Sequence, residues 1–368
     1  MSPAQSQDPE VIVTCLKRRF TGVSGTVNAL LPVQARSLPI GYVGTPLAGA
    51  ERASRETPGS FRFLSLTEAV RLCRRGLPDG RPRLWHVRRN HEMLLGLLLR
   101  DLLRLPIRLV FTSAAIRLHS WIPRRMIGRM DRVIATTEAA ARLVPNAAAV
   151  VGHGVPVDLF RPPASRSRAW RALGLPGSFG IGTFGRVREE KGVHLFVRAM
   201  LNLLPEFPGA TAVIVGLCQP GDAAFVKGLK EEIERANLVE RFVWAGEVAP
   251  ELMLRWYQAM SVVVACPLYE GYGLTVIEAM ACGCPVVASR TGAFEAMIEP
   301  GESGHLVEVG DFAALAQAVR LLLADPPLAD AMGHKGRDRA VSRFSVEAEA
   351  HGIERVYRDL WAADGIAA

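Results

Sequence analysis

The feature that most narrows what this chain can fold into is an alternation. Short β-branched runs are followed repeatedly by stretches with helical periodicity. "EVIVTCL", "IGYVG", "RLWHV", "IRLVFTS", "RVIATT" and "AAVVGHG" read as strands, separated by helical patterns such as "TVNALLPVQARSL" and "MLLGLLLRDLL". Continuous apolar runs suit strands buried on both faces, as in a parallel sheet covered by helices. After "VPVDLFRPPASRSRAW" the pattern restarts with "FGIGTFGRV", "TAVIVG", "RFVWAGE", "SVVVACP", "PVVASR" and "SGHLVEV". A chain of 368 residues exceeds what one core usually covers. Two doubly wound α/β domains are therefore expected, joined near Pro162-Pro163, with ligands in the cleft between them at the carboxyl ends of strands.

Charge is distributed unevenly. Residues 1–160 carry 23 Lys/Arg against 11 Asp/Glu, whereas the remainder carries 21 against 25. A basic first half suits an anionic partner, such as a membrane surface or a phosphorylated glycolipid, and it equally suits solvated faces. No nucleic-acid motif with interleaved aromatics accompanies it, so nucleic acid is not an expected partner. The N-terminal "MSPAQSQDPE" has no basic n-region, and the most apolar stretch is interrupted by Arg100, Asp101, Arg104 and Arg108. A cytoplasmic location is expected. The six cysteines lack metal-ligand spacing. They are expected to be reduced core thiols, with no metal site.

"GIGTFGRVREEKG" (180–192) contains Gly180, Gly182 and Gly185 at the spacing of a dinucleotide fingerprint. That reading fails on context, because the glycines lie inside the only available strand and the helix begins after Gly192. No acidic residue ends a strand about twenty positions later. The stronger signal is "CPLYEGYGLTVIEAMACGCPVVAS" (266–289). A strand delivers a loop holding Glu270, Gly271, Tyr272 and Gly273. A helix then starts near Leu274 and carries Glu278 in its first turn. The glycines let backbone N–H groups approach a ligand, and the helix end suits phosphate. The 180–192 stretch ends in two cations that a dinucleotide fingerprint does not need, Arg186 and Lys191.

Glu270 and Glu278 within "LYEGYGLTVIEAMACGCPVV" resemble the carboxylate signature of the retaining GT-B glycosyltransferases of family 4. "GHGVPVDLFRP" (152–162), "FGRVREEKG" (184–192) and "VWAGEVAPELMLRWYQAMSVVVACP" (243–267) resemble its other segments, in its order. "CLKRRFTGVSGTV" (15–27), "WHVRRNHEM" (85–93) and "FTSAAIRLHSWIPRRMIGRMDRVIAT" (111–136) are similar to the lipopolysaccharide core mannosyltransferases in particular.

The resemblance implies two Rossmann-like domains facing across a cleft: residues 1–160 for the acceptor, completed by a crossover helix within 346–368, and residues 161–345 for the nucleotide sugar. It implies a retaining hexosyltransferase moving mannose from GDP-mannose onto a lipopolysaccharide core or related glycolipid. No cofactor is implied beyond the donor. The sequence has no Asp-x-Asp, so metal independence is expected. Arg186 and Lys191 match the cations on the diphosphate, Glu278 the ribose carboxylate, and Glu270 with Gly271, Tyr272, Gly273 and Leu274 the sugar-binding loop. Gly22 and Gly25 match a glycine loop near the diphosphate, and Glu247 and Val248 the surroundings of the base. Many relatives place a histidine just after the strand corresponding to "IRLVF"; here that place reads Phe111-Thr112-Ser113-Ala114, with no histidine, and His119 is the preferred substitute as catalytic residue. His153 is expected to hold its turn by hydrogen bonding. Arg88 and Arg89, Arg124 and Arg125, and the tract Lys17-Arg18-Arg19 are the candidates for acceptor phosphates or the inner membrane leaflet. Two alternatives stay open: a UDP-hexose transferase acting on another glycan, and a non-catalytic nucleotide-sugar-binding protein.

Overall fold

The structure is a computed structural model that describes residues 7–17, 22–114 and 117–363. It divides into two units, Met1–Gly154 with Val346–Ala368, and Val155–Ser345.

The first unit is built on seven strands: β1 (Val11–Cys15), β2 (Ile40–Gly44), β3 (Phe61–Phe63), β4 (Arg83–Val87), β5 (Ile107–Ser113), β6 (Arg132–Ala135) and β7 (Ala147–Val150). All pair in parallel, in the order β3-β2-β1-β4-β5-β6-β7. β1 is buried along its whole length, which is why "VIVTC" shows no polar alternation. The helix Val346–Ala363 belongs to this unit. Its buried Val346, Ala350, Ile353, Tyr357, Leu360 and Trp361 recur at helical spacing and join a core with Val13, Leu30, Leu31 and Tyr42. The Trp361 indole N–H donates to the Pro82 carbonyl at 2.9 Å, and Ser37 Oγ donates to Glu354 at 2.6 Å. The apolar stretch after β4 begins as the helix Asn90–Leu97 and continues as the π-helix Leu98–Leu102.

The second unit carries β8 (Phe179–Phe184), β9 (Ala210–Val215), β10 (Phe242–Gly246), β11 (Met260–Ala265), β12 (Val286–Ser289) and β13 (His305–Val307). They form a parallel sheet in the order β10-β9-β8-β11-β12-β13. In each sheet the strand order reverses once, beside β1 and beside β8. Loops leaving neighbouring strands diverge there, and the opening favours ligands.

The units part at Gly154, not at residue 160 as the linker pattern suggests. Val155, Val157 and Phe160 are buried in the second unit's core. Arg337 Nη1 binds the carbonyls of Val157, Phe160 and Ala281 at 2.9, 2.7 and 2.8 Å. Arg166 likewise donates to Met260 O at 2.7 Å and Gly283 O at 2.9 Å. The segment around Pro162-Pro163 is thereby fastened to the second unit.

β8 also explains the false fingerprint. A Cβ at Gly180 would lie 2.2 Å from the Trp170 ring, and one at Gly182 would lie 2.6 Å from Met260 Sδ. These glycines make room for core side chains. Gly180→Ala should accordingly cost about 1–3 kcal/mol through overpacking. Gly228→Ala, in the helix Ala223–Arg235 with open space beside it, should stabilise by about 0.5–1 kcal/mol. Denaturant unfolding of both variants checks this. An undisturbed Gly180→Ala fold would return the glycine to a ligand-binding role.

Candidate active site

At the second unit's reversal point, two loops are pressed together. After β8 the chain passes Gly185 (φ 133°) and Arg186, makes the 3₁₀ turn Glu189–Lys191, and enters the helix Val193–Leu203 through Gly192 at φ 71°. A Cβ on Gly192 would fall 1.7 Å from the Cys266 carbonyl oxygen, so only glycine fits. Cys266 Sγ donates to Gly192 O at 3.2 Å, and Leu268 N–H donates to Glu190 O at 2.9 Å. The loop that follows β11 is therefore held on the turn that follows β8.

This contact brings Lys191 to Glu270. Their charged atoms lie 2.7 Å apart. The other carboxylate oxygen of Glu270 accepts the Gly271 N–H at 2.8 Å. Gly292, at φ 61°, lies behind Glu270, where a Cβ would come 3.1 Å from its Cβ and Cγ. The expected diphosphate cation and the expected sugar carboxylate are thus paired with each other. Arg186 is exposed, and no ion pair engages its guanidinium among the described residues. Gly273 (φ 94°) opens the helix Leu274–Ala281, and a Cβ there would meet the Phe294 ring at 2.0 Å. The close fit forces the chain to turn sharply, leaving the helix's first amides without intrahelical acceptors.

Glu278 is on the second turn of that helix, not the first, since it is the fifth residue counted from Leu274. Tyr257 Oη donates to Glu278 Oε2 at 2.7 Å, and the Tyr257 ring stacks on Phe184 at the end of β8. Part of the Glu278 surface is exposed, yet its carboxyl is enclosed. Burial raises its pKa above 4.5, and the Tyr257 hydrogen bond only partly opposes this. Glu247 and Val248 follow Gly246, whose carbonyl accepts the Gly216 N–H at 2.8 Å beside the end of β9; Glu247 is exposed and Val248 half-buried.

The first unit's reversal point is organised by a residue the motifs did not suggest. Glu92 is fully buried, and its carboxylate accepts the backbone N–H of Leu16 after β1 at 3.1 Å and of Arg88 after β4 at 3.0 Å. Arg89 is drawn to it at 3.5 Å and also donates to Ser24 at 3.0 Å. Arg89 thus ties the β4 loop to the helix Gly22–Gln34. Gly22 and Gly25 lie within that helix rather than in a loop. Arg18 and Arg19 lie outside the described residues.

A pocket of about 200 Å³ opens here, lined among others by Thr26, Arg88, Asn90, Thr112, His119 and His153. Phe111, Thr112, Ser113 and Ala114 line it too, so His119 and the segment after β5's apolar run share one pocket. Burial lowers the His119 pKa, and its Nε2 has no hydrogen-bond partner among the described residues. His153 Nδ1 lies 2.8 Å from Glu349, which also accepts the Gly154 N–H at 2.8 Å. Beneath Thr112, the buried His86 joins Thr112 Oγ1 at 2.8 Å to Tyr357 Oη at 2.5 Å. Arg124 and Arg125 do not line this pocket. They are exposed on the helix Trp121–Ile127, beside Trp121 (71% exposed) and Ile122 (62%).

Residues 174–339 match the family described as Glycosyl transferases group 1. The chain is 40% identical over 357 residues to the lipopolysaccharide core biosynthesis mannosyltransferase LpcC of Rhizobium leguminosarum, covering 96% of this chain and 97% of that one. It is 39% identical to LpsB of Rhizobium meliloti, which carries the same description, over 96% and 98% of the two chains. The crystal structure of the C-terminal domain of a group 1 glycosyl transferase, LpcC, from Francisella tularensis is similar over 52% of this chain and 99% of that one (TM-score 0.51, 33% identity). Anabaena HepE in complex with UDP and glucose has the same fold over 95% of this chain and 100% of that one (TM-score 0.76, 19% identity).

The raised pKa of Glu278 has a definite sign. Because it lies above the unfolded value, ionisation costs stability as pH rises through it. Glu278→Gln should raise Tm at about pH 8 and lose that advantage near about pH 4. Thermal scans at both pH values check this; equal shifts at the two would refute it.

Proposed function

This chain belongs to the group 1 glycosyl transferases with the GT-B fold, and from that premise we propose that it transfers mannose from GDP-mannose to a lipopolysaccharide core or related glycolipid, with retention of configuration and without a metal. The observation that carries the site assignment is the Lys191–Glu270 pair beside the unengaged Arg186 and the amide end of the helix Leu274–Ala281. Arg186 and the helix amides take the diphosphate, which also draws Lys191 from Glu270. Glu270, released, accepts from sugar hydroxyls along with the backbone of Gly271, Tyr272, Gly273 and Leu274. Glu278 accepts from the ribose, and the groups around Glu247 and Val248 receive the base.

Two cations and a helix end can carry the charge of the departing diphosphate, the role a metal has in other transferases. The bond from the anomeric carbon to the diphosphate breaks through an oxocarbenium-like state. The acceptor oxygen bonds to the same face, and its proton passes to the leaving phosphate oxygen. No carboxylate nucleophile is then required. His119, whose pKa partial burial lowers, is the candidate catalytic residue of the first unit. The mannose and lipopolysaccharide reading is supported by relatives of that description matched end to end.

Among the described residues no single helix is long and apolar enough to cross a membrane. Trp121, Ile122, Leu98, Leu102 and Leu103 are exposed in the same unit as Arg124 and Arg125, and this combination suits peripheral contact with an anionic leaflet at the cytoplasmic face.

GDP-mannose should raise Tm more than UDP-glucose, UDP-galactose or NAD in a thermal-shift screen. A UDP-sugar giving the largest shift would discard the mannose assignment and keep the family. Lys191→Ala should lower transfer about 100-fold or more with Tm nearly unchanged, as expected for a group that stabilises developing charge. Near-normal turnover would remove Lys191 from the mechanism. The double substitution Arg124→Glu with Arg125→Glu should release the protein from phosphatidylglycerol vesicles in a sedimentation assay and leave it soluble and folded.

A further inference from the structure

Arg88 stands out among the charged groups of the first unit. It is only 8% exposed, and its Nε and Nη1 have no hydrogen-bond partner among the described residues. Glu92 accepts from the Arg88 backbone, while the carboxylate's ion-pair contact is with Arg89. The Arg88 charge bears instead on His86, where it adds to burial in keeping the imidazole neutral. A buried guanidinium without a counter-ion is costly, because desolvation is not offset by a paired charge.

The same group lines the pocket of about 200 Å³ with Thr26, Asn90, Thr112 and His119, whose Nε2 is also without a partner. A guanidinium fork, an amide and an imidazole nitrogen converge on one small cavity. That set suits a carboxylate or phosphate carried on a sugar-sized group far better than a neutral hydroxyl. We infer that this pocket binds an anionic group of the acceptor, with Arg88 as its counter-ion and the acceptor-specificity determinant. The inference rests on the proposed transfer reaction. The anions of a nucleotide sugar are its two phosphates, for which the second unit holds Arg186 and Lys191, and the mannosyl group is neutral. An anion at Arg88 therefore belongs to the other substrate.

The test uses the full chain with glucuronate, glucose 6-phosphate and glucose as probes. Calorimetry should show both acidic sugars binding and glucose not. Comparing the two acids separates a carboxylate preference from a phosphate preference. Arg88→Gln should weaken acidic-sugar binding about tenfold or more, and Arg186→Gln should leave it within about twofold, since that cation serves another site. In transfer assays the acidic sugars should compete with the acceptor and not with GDP-mannose. Because the Arg88 charge is unpaired in the folded protein, Arg88→Gln should keep or raise Tm. Binding of glucose as tight as that of the acids, retained binding in Arg88→Gln, competition with the donor, or a large fall in Tm would each overturn the assignment. Absence of transfer from any donor would instead refute the reaction proposed above, and the calorimetric result would still decide whether the pocket takes anions.

Discussion

The close approach of Gly192 to the Cys266 carbonyl is the constraint from which the second unit's site follows. A backbone contact that excludes any Cβ holds the turn after β8 on the loop after β11. Two hydrogen bonds across the same junction, from Cys266 and Leu268, keep it closed. With the two loops fixed, Lys191 and Glu270 have little choice but to meet, and Gly292 leaves Glu270 room on its other side. The helix beginning at Leu274 then presents its amides next to them. Rigid loops at a reversal of strand order give pre-organised charge, which is worth more to a reaction than charge that must be gathered on binding.

Both units store electrostatic cost near these openings. Glu278 is held where burial disfavours its charge, and the Arg88 guanidinium is buried with two nitrogens unpaired. Neither arrangement serves stability. Each is understandable if a ligand supplies what is missing: hydroxyl donors for the carboxylate, an anion for the guanidinium. Glu92 shows the opposite economy. It is as buried as either, but its oxygens accept two backbone N–H groups and approach Arg89, so its charge is spent on structure.

Neighbouring residues in one basic tract therefore differ in role. Arg88 and Arg89 are adjacent, yet Arg89 is tied to Glu92 and Ser24 while Arg88 lines the pocket. The pattern "RRN" could not separate them, because the distinction is made by Glu92 folding back from the next helix. The fingerprint reading already failed on local context, but what the glycines are for was not legible: Gly180 is a glycine on account of Trp170, ten positions earlier. The helix start near Leu274 was legible, yet Glu278, its fifth residue, belongs to the second turn, where burial and Tyr257 enclose its carboxyl.

The sequence by itself determined the alternation of strand and helix, the restart into a second sheet, and the glycine-flanked carboxylate loop that resembles its family. These are local patterns, set by side-chain periodicity and by backbone freedom within a few residues. Tertiary structure decided which charges are satisfied. Lys191 and Glu270 lie 79 positions apart, and Tyr257 lies 21 from Glu278. Parallel strands joined by helical crossovers bring distant segments to one sheet edge, so pairing across that edge depends on strand order. No short-range pattern in the chain encodes it.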